Sequence, residues 1–151
     1  LDRGHHGRGD GRLILRRAML ALLLCLGALP ALASPRVDYM LHCMGCHTPD
    51  GSETPGKVPP LKGHVARFLA AEGGRAYLVE VPGTRQSALS NAAVADLLNW
   101  LVTHFDAEHV PQDFKPYTEA EVAGLRRQRI PDVMAERARL MREMERNSSE
   151  R

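Results

Sequence analysis

Cysteine is scarce in this 151-residue chain. Its three cysteines are too few for a disulfide scaffold. Aromatics are scarce too: there are seven, all between Tyr39 and Tyr117. Neither sign of charge dominates. Twenty Lys+Arg against 18 Asp+Glu leave a formal net charge of +2, which gives no concentrated basic face for nucleic acid. No apolar run reaches the roughly 20 residues that a membrane-spanning helix needs. No G-x-x-x-x-G-K-[ST] phosphate loop follows residue 33. What remains, 44% apolar and 25% charged residues, fits one ordinary globular domain rather than a disordered or collagen-like chain.

The first segment reads as a leader rather than as fold. Residues 1–12 are Gly- and charge-rich without an apolar period. Arg16 and Arg17 form a basic region, residues 18–29 a short apolar run, and Pro30 breaks it. Ala31-Leu32-Ala33 supplies an A-x-A cleavage site, so residues 1–33 are expected to be a leader and secretory signal peptide. Cys25 would leave with it, and no transmembrane anchor would remain after cleavage. Residues 34–151 then hold 15 basic and 16 acidic residues. They would sit in an exported, disulfide-permissive compartment, the periplasm.

The two remaining cysteines stand in Cys43-Met44-Gly45-Cys46-His47. C-x-x-C-H is the attachment signature of c-type haem. Residues three apart share one face of a helical turn, so Cys43 and Cys46 are placed to form two thioethers. His47, directly after them, is placed to ligate the iron as the proximal ligand. A thioredoxin-like disulfide would need a βαβ pattern, and the flanks show none. A structural zinc site would need a second ligand pair at short spacing. The histidines at 42, 64, 104 and 109 do not supply one.

Residues 36–105 resemble the class I c-type cytochromes. VDYMLH before the motif is similar to the family's first helix. Val58-Pro59-Pro60-Leu61-Lys62-Gly63 is similar to its G-P-x-L-x-G segment, with Val58 in place of Gly. The resemblance implies that the Pro59 carbonyl accepts from the His47 imidazole N–H, which would fix the ring and raise its basicity. Val94, Leu97, Leu98, Leu101, Val102 and Phe105 recur at helical steps after a cap at Ser90 or Asn91. They correspond to the family's last helix, in which Trp100 is expected to pack on the first helix.

The resemblance breaks at the iron's sixth ligand. The family usually carries a methionine, often followed by proline, shortly before the last helix. Here Val81-Pro82 stands in that place, and no Met or His occurs between His64 and His104. The ligand is therefore supplied from elsewhere, with His64, Met134, Met141 and Met144 as candidates, or the iron is five-coordinate, or the register differs.

Residues 106–151 extend beyond the minimal domain. A Pro-containing linker leads to Thr118-Glu119-Ala120-Glu121, a capping-box pattern opening a helix to about Arg129. Pro131 interrupts it. Residues 132–146 read as a second helix with Val133, Met134, Arg137, Leu140, Met141 and Met144 along one side. The expected fold is mainly α: a cytochrome c-like helical domain, 34–105, wrapped round one covalent haem c, with a helical extension, 106–151. The expected function is single-electron transfer from a periplasmic dehydrogenase to a downstream carrier or oxidase. No protein nucleophile or general base is needed, because the cofactor carries the chemistry. The alternatives are an open-iron protein that binds a small ligand, as sensor or enzyme, and a subunit of a dehydrogenase complex with the extension as docking arm.

Overall fold

The computed structural model describes residues 34–56 and 58–149, together with residues 14 and 17. The expected leader, 1–33, otherwise lies outside the described residues. The described residues from Ser34 onward form one compact unit. The described residues contain six α-helices and no strand beyond the isolated Thr54–Val58 bridge. The fold is mainly α, as the sequence implies. No described helix is long and apolar enough to cross a membrane.

Helix α1 spans Pro35–His42. The Ser34 Oγ accepts from the Val37 N–H, and Pro35 occupies a first-turn position where its missing N–H costs nothing. A 3₁₀ turn, Ala66–Ala70, leads to α2, Gly74–Glu80, and the one-turn α3, Pro82–Arg85. Helix α4, Asn91–Phe105, is the last helix expected from the apolar stripe. Ser90 is its cap, accepting from the Ala93 N–H at 3.1 Å. All six stripe residues, Val94 to Phe105, are buried.

After a second 3₁₀ turn, Ala107–His109, come α5, Glu119–Leu125, and α6, Val133–Ser149. Thr118 caps α5 through the Glu121 N–H. The α5 helix stops at Leu125, four residues short of the expected end. Gly124 in its last turn weakens propagation, and Pro131 lies beyond. The Asp132 carboxylate accepts from the Met134 and Ala135 N–H groups and opens α6.

The extension is packed on the domain. Val122 and Leu140 are fully buried and Met144 nearly so. Asn99 of α4 clips the linker through two bonds to the Tyr117 backbone, at 2.7 and 3.1 Å. Arg75 of α2 pairs bidentately with Glu121 and lies 3.9 Å from the Tyr117 ring centroid. On α6, Glu143 accepts from the Glu72 N–H while Arg139 donates to the Glu72 carbonyl.

Asp106, buried just after α4, ties these parts together. Its Oδ2 accepts from the Ala66 N–H at 2.8 Å and the Arg67 N–H at 3.3 Å. It thereby supplies the cap that Val65 cannot give to the first 3₁₀ turn. Its Oδ1 meets the His109 Nδ1 at 2.5 Å. Asp106→Ala strands one buried and one part-buried donor, and we expect it to cost about 2–3 kcal/mol in urea unfolding followed by Trp100 fluorescence.

Candidate functional site

The C-x-x-C-H motif continues α1 by one turn. The Tyr39 carbonyl accepts from the Cys43 and Met44 N–H groups. The Cys43 carbonyl in turn accepts from Cys46 N–H at 3.1 Å and His47 N–H at 2.9 Å. The two cysteines therefore stand on one closed turn, with His47 at its end. Neither cysteine is in a disulfide; Cys43 is half-buried and Cys46 exposed. Burial, reinforced by Asp38 and Cys46, pushes the Cys43 thiol up to about 11. Burial lowers the His47 pKa below the ordinary histidine value, so the ring is neutral at pH 7, the form that ligates metals. Its Nδ1 is buried and has no hydrogen-bond partner.

The turn is held from behind by the crossing of α1 and α4. Tyr39, 2% exposed, packs its ring 5.7 Å from Trp100 and 5.2 Å from Phe105, centroid to centroid. Trp100 thus packs on the first helix as expected. The Tyr39 hydroxyl donates to the Thr48 carbonyl at 2.6 Å, just past His47. Desolvation there pushes its pKa up to about 12.

The loop after the motif folds back on the same crossing. Thr48, Asp50 and Ser52 bond to one another, and these bonds hold the Asp50 carboxyl down at about 2. Gly51 has φ +72° and its carbonyl accepts from Leu61 and Lys62 N–H groups. A Cβ at Gly51 would lie 2.6 Å from the Phe105 ring. Gly63 N–H then donates to the Phe105 carbonyl at 2.9 Å.

The residues singled out from sequence fall in different places. Pro59 is exposed, and its carbonyl makes no bond to His47 Nδ1 here. Met134 is 72% exposed on α6. Met144 is buried in the core at a cleft with Arg67 and His109. His64 and Met141 line a second cleft with Ser52, Glu53, Pro60 and Lys62. That cleft brings two sequence-distant candidates together, yet neither cleft includes Cys43, Cys46 or His47. Val81 is half-buried against the core and joins α2 to α3. Sequence reasoning did not find Asp106, Gly51 or Arg126, each of which has a partner 35 to 54 residues away.

No family model matches the chain. Two curated proteins from Thermus thermophilus do, both named Cytochrome c-552. One is 34% identical over 146 residues, covering 83% of this chain and 98% of the relative. The chain belongs to the c-type cytochromes. The other is 36% identical over 118 residues, covering 65% of this chain and 90% of the relative. Coverages of 83% and 65% of 151 residues are about 125 and 98 residues, against matches of 146 and 118. Each match therefore runs over about 20 positions for which this cytochrome has no residue.

A c-type cytochrome carries covalent haem c, and the residues present fit that group. Two free thiols stand one turn apart, beside a neutral imidazole with an orphaned buried nitrogen. Met40 and Leu41, on the turn before the motif, expose apolar surface of the kind a haem covers.

The Gly51 contact sets a local limit. Gly51→Ala adds both a disfavoured φ and a clash with Phe105, and is expected to cost roughly 2–4 kcal/mol in denaturant unfolding. An unchanged midpoint would show that the loop does not rest on the crossing.

Proposed function

We propose that this cytochrome transfers single electrons in the periplasm, from a dehydrogenase to a downstream carrier or oxidase, after export on the leader 1–33. Cys43 and Cys46 would hold the haem by thioethers, and His47 would be the proximal ligand to its iron. Haem c supplies a one-electron couple, which the protein tunes through ligation and burial. The observation that carries the assignment is the closed 43–47 turn with a half-buried, neutral His47 at its end, its buried Nδ1 without a partner. Pro59 is the acceptor proposed for His47 Nδ1 in the loaded protein, where the now orphaned nitrogen needs a partner.

A second reading concerns the iron's other side. Val81 stands where the resemblance places the methionine; His64, Met141 and Met144 line the two clefts above, neither of which includes the motif, and Met134 is exposed on α6. These placements favour a five-coordinate iron, open to a small ligand. They favour the docking-arm reading less, because the buried Leu140 and Met144 of α6 already pack on the domain.

Carbon monoxide separates the cases. The ferrous protein with an open iron binds CO in a fast single phase, shifting the Soret band at once. Slow binding limited by ligand release, abolished in one of the His64→Ala, Met134→Ala, Met141→Ala or Met144→Ala variants, would identify the sixth ligand instead.

A further inference from the structure

Arg126, at the end of α5, makes an unusual set of bonds. Its Nε donates to the Arg85 carbonyl at 3.1 Å, Nη2 to the Ser87 carbonyl at 2.6 Å, and Nη1 to the Leu89 carbonyl at 2.8 Å. Nη1 also reaches the Asn91 Oδ1 at 3.1 Å. Three alternate carbonyls, from the last residue of α3 to the residue before the Ser90 cap, thus converge on a single guanidinium. Its planar fork of five donors suits it to this; a lysine ammonium is a point charge on a flexible stem. Among the described residues no carboxylate shares it.

The clamp has a firm base and a purposeful end. Its base is α5, anchored by the fully buried Val122 and by the Arg126 N–H bond to the Val122 carbonyl. Its end is the stretch from α3 to the Ser90 cap of α4, which has few other long-range bonds. Val81 and Leu89 flank that stretch and are half-buried against the core. Cys43, the first motif cysteine, is half-buried against the same core.

We propose that Arg126 is a positioning residue of the haem site: reaching from the C-terminal extension, it fixes the 81–90 segment on the core that also seats Cys43. This inference rests on the haem-attachment reading above. The segment needs no bond to iron to hold its place, because the guanidinium satisfies three of its carbonyls. The extension is then part of the haem domain rather than an appendage.

The test uses the exported, haem-loaded protein in four forms: wild type, Arg126→Met, Arg126→Lys and Arg127→Lys. Two quantities are read: hydrogen–deuterium exchange of amides 86–90, and the rate at which exogenous imidazole binds ferric iron, followed in the Soret band. In Arg126→Met, exchange rises at least tenfold and the imidazole rate changes severalfold. Arg126→Lys falls between it and wild type, and Arg127→Lys, altered at an exposed neighbour, matches wild type. Should Arg126→Met fail to yield folded protein, Arg126→Lys decides on the same two readings. Unchanged exchange, or faster exchange with the wild-type imidazole rate, overturns the proposal. Wild-type protein exported without covalent haem overturns the attachment reading itself, and this proposal with it.

Discussion

Everything at the site depends on the crossing of the first helix over the fourth. Tyr39, Trp100 and Phe105 meet there, and aromatic contacts of this kind add to the burial of large apolar area. The crossing fixes the direction in which α1 ends, and the C-x-x-C-H turn is the continuation of that end. The Tyr39 hydroxyl on the Thr48 carbonyl then closes the far side of the turn. One tyrosine therefore holds both sides of the motif, by its carbonyl before it and its hydroxyl after it. The loop from 48 to 63 returns to the same place, because Gly51 packs close against Phe105 and Gly63 bonds its carbonyl.

The extension solves a second problem. A small chain with seven aromatics has little core to spare, and the extension enlarges that core. Leu140, Met144, Val122 and Tyr117 all join the cluster that α4 begins. The polar ties that accompany them are of unequal weight. The half-exposed Arg139 pairs on α6 are screened by water and contribute little. Asp106 and Tyr117 are buried and hydrogen-bonded to backbone, so their loss would leave orphaned groups inside.

What the sequence reveals is whatever physics acts over a few residues. The α4 stripe, the Ser90 and Thr118 caps and the C-x-x-C-H spacing are all local, and all were legible. Helices α2 and α3 and the first 3₁₀ turn were not. Gly73 enters α2 with φ +80°, and a Cβ on Gly74 would sit 1.9 Å from the Phe68 carbonyl oxygen. A Gly-Gly pair ordinarily signals a turn, and only tertiary approach makes it a helix start. Asp106 as a cap for a segment 40 residues earlier, and Arg126 as a clamp across 35 to 41, are invisible to periodicity for the same reason. Of the candidate sixth ligands, the sequence supplied the residue types; their separation into an exposed Met134, a core Met144 and a shared His64–Met141 cleft is a property of how α6 docks.

The central claim is that the turn at 43–47 carries one covalent haem. The intact mass of the exported, denatured protein tests it most directly. The account predicts the mass of the processed chain plus one haem, with the haem lost when Cys43 and Cys46 are both replaced by alanine. A processed wild-type chain of unmodified mass, produced alongside a haem-attachment system that loads other c-type cytochromes, would contradict it.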